Sequence, residues 1–193
     1  MSDEIASKWN SRYSYSGEPL PAPARVLSGG IRWLSLGEDG RAKASKNSRL
    51  ALDLACGRAA NGHWLAQRGF LVSAWDISET VVSDILSRNP QLLHEVAVRD
   101  VILNPPEPRS FNVIVVSRFL HRALCPAIVD ALKPGGVLLY QTFTHGLSNP
   151  DYLLGANELL SLFSELQVLE YHEPLPDESG KAEARLIARK RSR

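Results

Sequence analysis

Three aspartates stand where predicted strands end, and together they could bind a cationic cofactor that carries a ribose. They are Asp53, Asp76 and Asp100. Carboxylate oxygens accept hydrogen bonds from ammonium groups, ribose hydroxyls and exocyclic amines. Asp53 suits the surroundings of an ammonium or sulfonium group, Asp76 can accept from both ribose hydroxyls, and Asp100 can accept from an adenine amine. We therefore expect the three side chains to converge on one crevice.

The residues that follow Asp53 are small at alternate positions. Ala55, Gly57 and Ala59 lie between the first apolar run and the next helical pattern. Small side chains let backbone amides and a helix N-terminus come close to a ligand. This segment is therefore predicted to form a ligand-binding turn.

The elements that must position these residues alternate between strands and helices from residue 50 onwards. Nearly continuous apolar strands are typical of a parallel sheet that is covered on both faces. Such a doubly wound sheet binds its ligand beyond the carboxyl ends of the strands. The predicted strands are Leu50–Ala55, Phe70–Trp75, His94–Val98, Phe111–Val116 and Val137–Phe143, and the predicted helices are Asn61–Arg68, a helix capped by Ser78 that runs to Ser87, and Ala123–Leu132.

The flanking segments are predicted separately. Residues 24–36 have the spacing of a short helix, although Gly29 and Gly30 weaken it, and the remainder of the first 48 residues is predicted to be irregular, with a loop over 37–49. Lys133-Pro134-Gly135-Gly136 is predicted to be a turn. At the C-terminal end we expect a helix near Ala156–Ser164 and an antiparallel edge hairpin of Gln167–Tyr171 and Ala184–Arg189.

Composition and charge indicate an ordinary globular α/β chain. Hydrophobic residues make up 44% of the 193 residues and charged residues 22%, which is enough to build one core. We expect one domain over 1–193, with an N-terminal arm and helix over 1–48, a cofactor-binding core over 49–143 and a C-terminal helix and hairpin over 144–193.

The charge balance also bears on partners and location. Lys and Arg total 22 against 21 Asp and Glu, which argues against a nucleic-acid partner, and the basic run 189–193 is interpreted as a solvated terminus. We find no apolar segment long enough to span a bilayer and no secretory leader, so we expect no membrane association. Cys56 and Cys125 are expected to stay reduced, as in the cytoplasm. A monomer and a homodimer both remain open.

The ordered set of motifs resembles the class I S-adenosylmethionine-dependent methyltransferases, and within them the small bacterial tellurite-resistance and thiopurine methyltransferase type. The family's first motif, acidic-x-Gly-x-Gly-x-Gly, matches Asp53, Ala55, Gly57 and Ala59, with alanine in place of two glycines. The resemblance covers roughly residues 49–143, the Rossmann-like core. Its other matches are Asp76, Asp100, the Phe111–Val116 strand and Lys133–Gly136, with Trp9, Arg12-Tyr13 and Asn157–Leu160 as flanking features.

This resemblance implies S-adenosylmethionine as the cofactor, S-adenosylhomocysteine as the product, and a small-molecule acceptor. Methyl transfer from a sulfonium is an in-line displacement that depends mainly on alignment. The implied cofactor-binding residues are Trp9, Arg12, Asp53, Ala55, Cys56, Gly57, Asn61, Asp76, Ile77, Ser78, Asp100, Val101, Ser117 and Arg118.

The acceptor side is less sharply defined. His121, with Arg122 beside it, could act as a base or hold an anionic substrate, or it could be a surface histidine at a helix start. Tyr13 is a second candidate base, and Trp9 and Tyr13 could form a lid or simply pack at the terminus. The five histidines lie too far apart in sequence to indicate a metal site, so no metal is expected.

Three other functions compete with methyl transfer to a small molecule. Gly57–Gly62 fits Gly-x-Ala-x-x-Gly with Asp76 downstream, as in nicotinamide-dependent oxidoreductases, but Asp53 would repel a pyrophosphate. A non-catalytic binding module of the same fold would fit the two alanine replacements. Methylation of RNA would require a basic face, which the net charge argues against.

Overall fold

The computed structural model describes residues 2–13, 19–34, 50–88 and 91–192. Short 3-10 turns lie at Ile31–Trp33, Arg122–Leu124 and Pro150–Tyr152. The helices are α1 (Ser2–Arg12), α2 (Arg25–Gly30), α3 (Ala60–Ala66), α4 (Glu79–Arg88), α5 (Cys125–Ala131) and α6 (Glu158–Leu162). The strands are β1 (Leu50–Leu54), β2 (Leu71–Asp76), β3 (Glu95–Val98), β4 (Phe111–Ser117), β5 (Leu132–His145), β6 (Gln167–His172) and β7 (Ala182–Arg189).

The strands form one seven-stranded sheet in the order β3-β2-β1-β4-β5-β7-β6. The neighbours from β3 to β5 are parallel, whereas β7 is antiparallel to both β5 and β6. The predicted mostly parallel sheet with an antiparallel C-terminal edge hairpin is therefore confirmed. The strand order reverses between β1 and β4, where ligands of doubly wound sheets bind.

Helices cover both faces of the sheet, as predicted. In β4, Ile114 belongs to one buried cluster and Val115 to the other, because successive side chains of a strand point to opposite faces. Side chains of α5 and α6 complete the first cluster, and side chains of α2, α3 and α4 complete the second. Within the part of the chain that the structure describes, no helix is long and apolar enough to cross a membrane.

The prediction of an irregular N-terminal arm is wrong for residues 2–12, which form α1. The helix is mostly polar, and the short apolar row of Ile5 and Trp9, which Tyr13 continues, is too sparse to identify it from periodicity. Asp3 and Glu4 lie in its first turn and Arg12 in its last, an arrangement that the helix dipole favours. The predicted loop 37–49 and the last two residues of the predicted helix 24–36 lie outside the described residues.

Two boundaries also differ from prediction. The helix α2 ends at Gly30, and the chain continues as the 3-10 turn Ile31–Trp33. Gly30 lies directly against β5, where a Cβ would come within 2.5 Å of Leu139 Cδ2. The segment Lys133–Gly136 belongs to a longer β5 rather than to a turn before it, and the pairing of β4 with β5 shifts register between Phe111 and Val113.

Candidate cofactor site

The three predicted acids stand at the same edge of the sheet. Asp53 lies in β1, Asp76 is the last residue of β2, and Asp100 comes two residues after β3. The three strands are adjacent and parallel, so their carboxyl ends meet at this edge. The side chains differ greatly, however, in burial and in hydrogen bonding.

Asp76 joins the turn after β1 to the start of α4. Only 6% of the residue is exposed, and its carboxylate accepts the backbone N–H of Gly57 at 2.8 Å and of Ser78 at 3.0 Å. Burial raises the pKa of Asp76, while the N–H donors of Ser78 and Gly57 oppose that rise. Asp76 is thus fixed beside the turn with lone pairs still able to accept further hydrogen bonds.

Asp53 is fully buried and faces α3. Its Oδ2 accepts the Gly62 N–H at 2.7 Å, and among the described residues its buried Oδ1 has no hydrogen-bond partner. Burial raises the pKa of Asp53 to about 7, and the Gly62 N–H partly opposes the rise. Asp53 therefore holds the start of α3 directly. Among the described residues its other oxygen has no donor at hydrogen-bond geometry, although the nearby Asn61 side chain favours the charged carboxylate.

The turn between β1 and α3 is left-handed at each of its three small residues. The φ angles are 53° at Ala55, 52° at Gly57 and 56° at Ala59. Glycine reaches this region without strain, whereas alanine pays for it through its Cβ. The two alanines that replace glycines of the resembled motif therefore keep the turn conformation at a cost in stability.

Replacing Ala55 by glycine is expected to make the protein about 0.5–1 kcal/mol more stable. The strain of a left-handed alanine exceeds the extra unfolded-state entropy of glycine and the small burial lost with the methyl group. Urea unfolding of both proteins measures the difference. Ala127→Gly in α5 is the matched control and is expected to be destabilising, so equal losses in both variants would contradict the strain at Ala55.

An open groove of about 430 Å³ lies between α1 and the ends of β2 and β3. Its lining includes the apolar side chains of Ile77 and Val98, and its charged lining residues among those described are the acids Asp3, Glu79 and Asp100. Of the three acids expected to converge on one crevice, only Asp100 is in this lining, because Asp53 and Asp76 are buried. Apolar side chains suit the faces of a base, and acids suit a cation or an amine. The geometry is thus compatible with an adenosine that carries positive charge nearby.

Helix α1 contacts the start of α4 on one side and Tyr152, after β5, on the other. Asn10 Oδ1 accepts the Ser78 hydroxyl at 2.7 Å and the Thr80 N–H at 3.3 Å, while Lys8 Nζ lies 5.3 Å from the centre of the Tyr152 ring. Ser78 also caps α4 by accepting the Val81 N–H at 3.3 Å, as predicted. Asn10 had no signal in the sequence, because it is a lone asparagine in a polar helix.

Tyr13 lies over the turn at the end of α1. Its hydroxyl oxygen is 2.9 Å from where a Cβ on Gly57 would stand, and its ring stacks on Trp9 with centroids 6.0 Å apart. Burial, with the nearby Asp76 carboxylate, raises the pKa of Tyr13 to about 12. Arg12 is exposed and lies over the Trp9 ring. Tyr13 thus lies against the turn, and Trp9 of α1 stacks on it.

Substituting Gly57 by alanine is expected to destabilise the protein by ~1–2 kcal/mol. The new side chain meets the left-handed φ of 52° and the Tyr13 hydroxyl. In a Tyr13→Phe background the penalty is expected to shrink, since the nearest remaining ring atom is 3.7 Å away. A double-mutant cycle by chemical denaturation measures the coupling, with Gly29→Ala, where the nearest atom is 3.9 Å away, as the control. If Gly57→Ala and Tyr13→Phe change the free energy of unfolding by strictly additive amounts, the Tyr13 hydroxyl does not contact position 57.

The other predicted residues divide into accessible and buried ones. Ile77 lines the groove, and Ser117 lies half-buried at the end of β4. Cys56 and Val101 are buried among apolar side chains, and Asn61 is buried with its Oδ1 accepting the Ala24 N–H at 2.9 Å. Burial also raises the pKa of Cys56.

Arg118 directs its charge to β7 rather than into the groove. It is exposed, has a φ of 56°, and pairs with Glu183 at 2.7 Å. Glu183 also accepts from the buried Gln141 amide, whose oxygen accepts the Val26 N–H at 2.8 Å. This network links α2 to the end of β4, and no spacing in the sequence indicates it.

His121 and Arg122 prove to have different surroundings. His121 is half-buried, and among the described residues its buried Nδ1 has no hydrogen-bond partner. Arg122 instead donates to Glu158 at 2.5 and 2.9 Å and to the Leu153 carbonyl at 2.9 Å. The Arg122 guanidinium thus ties the segment after β5 to α6, while the hypothesis that His121 acts as a base or holds an anionic substrate stays a prediction.

No protein-family model matches the chain, and a search of curated proteins finds no significant match. Solved structures match its fold. TehB from Haemophilus influenzae has a TM-score of 0.69 at 19% identity, covering 96% of this chain and 67% of that one. Phosphoethanolamine N-methyltransferase 2 from Haemonchus contortus, solved with S-adenosyl-L-methionine, has a TM-score of 0.70 at 16% identity, covering 100% of this chain and 58% of that one.

A third similar structure is the cyclase SpnF, with a TM-score of 0.63 at 16% identity, covering 93% of this chain and 100% of that one. At these identities the similarity concerns the fold, because one fold hosts several chemistries. The mostly parallel seven-stranded sheet with an antiparallel C-terminal edge agrees with this likeness. The chain therefore has the fold of the class I S-adenosylmethionine-dependent methyltransferases.

Proposed function

We propose that the protein transfers the methyl group of S-adenosylmethionine to a small acceptor. The observation that carries this proposal is the buried Asp76 carboxylate, which is fixed by two backbone N–H groups. The next residue, Ile77, lines a groove whose charged lining residues, among those described, are all acids. An acidic groove attracts a sulfonium and an ammonium group and repels a phosphate. The fold provides the same edge of the sheet for the ligand.

The chain's residues fit this cofactor. Asp76 would accept from the ribose hydroxyls, Ile77 and Val98 would pack against the adenine, and Asp100 would accept from its amine. The turn at Gly57 brings backbone close to the methionine part. Asp53 Oδ1, which has no partner at hydrogen-bond geometry among the described residues, would lie behind that turn as an acceptor for a cationic donor. When bound, S-adenosylmethionine supplies an electrophilic methyl group.

The protein's contribution to the reaction is alignment and exclusion of water. Helix α1, which Asn10 fixes to α4 and whose Lys8 lies near Tyr152, would cover the crevice, with Trp9 and Tyr13 as its aromatic side chains. Holding donor and acceptor in attack geometry is worth several kcal/mol. A soft acceptor such as a thiolate or a metalloid oxyanion needs no base. For a hydroxyl or amine acceptor, His121 would be the base, because its buried Nδ1 has no hydrogen-bond partner among the described residues, and Tyr13 would be the second candidate.

The competing functions make different demands on the same residues. A nicotinamide dinucleotide would bring its pyrophosphate to an edge lined by acids, which opposes that function. The alanine replacements favoured a non-catalytic module, but Ala55 and Ala59 keep the left-handed turn. The similarity to a cyclase shows that this fold is used for more than one chemistry, so turnover must be measured separately from binding.

Calorimetric titration with S-adenosylhomocysteine and with NAD tests the cofactor. We expect saturable binding of the first and at least tenfold weaker binding of the second, and the reverse order would overturn the proposal. Release of S-adenosylhomocysteine from S-adenosylmethionine, in the presence of a panel of thiol, oxyanion, hydroxyl and amine acceptors, then tests transfer. Binding without turnover of any acceptor would favour the non-catalytic module.

A further inference from the structure

One face of helix α1 lines the groove at the ends of β2 and β3. The residues that α1 contributes to the lining recur at intervals of three and four, and they are Asp3, Ala6, Ser7, Asn10 and Ser11. Side chains at this spacing lie along one side of a helix. Helix α1 is therefore one wall of the groove, and its polar side chains face whatever the groove holds.

The side-chain amide of Asn10 has a defined orientation on this wall. Its Oδ1 accepts the Ser78 hydroxyl at 2.7 Å and the Thr80 N–H at 3.3 Å. A backbone N–H only donates, so the amide atom that faces Thr80 must be the oxygen. The Ser78 hydroxyl accepts the Val81 N–H at 3.3 Å, which leaves its own hydrogen for Asn10. Nδ2 is therefore the end of the amide that α4 does not hold.

Asn10 Nδ2 keeps its two hydrogens for an occupant of the groove. Asn10 is half-buried, and both of its side-chain hydrogen bonds to other described residues use the oxygen. These two bonds also restrict rotation of the side chain. A donor that is held in place before a ligand arrives loses little entropy on binding it. Asn10 thus offers a preorganised donor.

The other polar side chains of the described lining differ from this amide. The charged ones are acids, and an ionised carboxylate only accepts hydrogen bonds. The Ser11 hydroxyl donates to the Ser7 carbonyl at 3.0 Å. Ser7 is exposed, and its hydroxyl can either donate or accept, so it does not select one kind of partner. Asn10 Nδ2 is therefore suited to recognise an uncharged acceptor in a groove that otherwise favours cations and amines.

We propose that Asn10 determines specificity for the base of the cofactor, and that its Nδ2 donates to a ring nitrogen of adenine. This inference rests on the proposed function, because it concerns the same site. Adenine combines ring nitrogens that accept hydrogen bonds with one amine that donates them. Asp100 would accept from the amine and Asn10 would donate to the ring, so the two side chains together would match the pattern of adenine.

Calorimetric titration of the wild-type protein with S-adenosylhomocysteine and with its 1-deaza, 3-deaza and 7-deaza analogues tests this contact. Each analogue replaces one ring nitrogen by a C–H group and keeps the amine. We expect one analogue to bind about three- to tenfold more weakly than the parent compound, as for the loss of one uncharged hydrogen bond. Equal affinities for all four compounds would overturn the inference and leave the proposed function standing. Failure of the parent compound to bind would overturn both.

Asn10→Asp assigns the lost hydrogen bond to this residue. The variant keeps an oxygen for Ser78 and Thr80 but replaces the donor by a second acceptor, so it is expected to weaken binding of the parent compound about three- to tenfold. It is expected to have little further effect on the sensitive analogue, and this comparison cancels the effect of the added charge. Strictly additive effects of variant and analogue would overturn the inference.

Ser7→Ala is the matched control, because Ser7 lies one turn earlier on the same face of α1. It is expected to weaken binding of S-adenosylhomocysteine less than Asn10→Asp does, and the reverse order would overturn the inference. The analogue series uses only the wild-type protein, so it can overturn the inference even if α1 detaches in Asn10→Asp. Deuterium exchange of the α1 amides shows whether the helix stays attached in each variant.

Discussion

Asp76→Ala is expected to weaken the binding of S-adenosylhomocysteine by ten- to a hundredfold. The substitution removes the charged acceptor proposed for the ribose hydroxyls, and hydrogen bonds to charged groups contribute about 1.5–3 kcal/mol. It also leaves the N–H groups of Gly57 and Ser78 without their acceptor, so the turn and the start of α4 lose their common partner. Calorimetric titration of folded protein gives the affinity.

Two further variants separate ligand contact from support of the turn. Asp76→Asn keeps one carboxamide oxygen for a backbone N–H but loses the charge, so it is expected to fall between wild type and the alanine variant. Asp130→Asn removes an exposed acid on α5 and is expected to have no effect. Unchanged affinity in Asp76→Ala would mean that the ribose lies elsewhere.

The stability of the protein is expected to depend on pH through the carboxyl group of Asp53. The pKa of this carboxyl is raised from 3.8 to about 7 by burial, so the folded state binds a proton that the unfolded state releases. The stability that this proton provides is complete below about pH 4 and is lost as the pH rises to about 7. Above that pH the contribution is constant. A pKa rise of this size changes the free energy of unfolding by ~4 kcal/mol at most.

Asp53→Asn isolates this contribution. The amide oxygen can still accept the Gly62 N–H, but the side chain no longer titrates. Urea unfolding between pH 4 and pH 8 should show wild type losing stability relative to the variant as the pH rises. The pKa of Asp76 is raised as well, but Asp76 is present in both proteins and largely cancels from the difference. Parallel pH curves would show that Asp53 is ionised at little cost.

The strands and the helix start that position the site could largely be predicted from the sequence, because they follow from local patterns. Apolar runs such as Phe111–Val116 are long enough to identify buried strands, and Ser78 directly before a periodic segment is a reliable N-cap. Strand ends follow from these runs, so the common edge of Asp53, Asp76 and Asp100 also follows. The small residues Ala55, Gly57 and Ala59 at alternate positions were enough to predict a close turn there.

Side-chain direction and remote partners could not be predicted. Whether Asp53 faces a ligand or the backbone of α3 depends on one rotamer and on the position of Gly62. Arg122 binds Glu158, 36 residues away, through a loop whose path has no sequence pattern. Helix α1 was missed because its contacts are polar and its partners, Ser78 and Thr80, lie 68 and 70 residues further on.

The polar attachment of α1 has a further consequence. Among the described residues, neither of the two buried apolar clusters includes a side chain from α1. Detaching this helix therefore exposes little apolar surface and requires far less free energy than global unfolding. Its backbone amides should exchange with deuterium through a sub-global opening that leaves β1 and β4 protected. A bound ligand beneath α1 would slow that exchange selectively, which makes the helix a built-in reporter of occupancy.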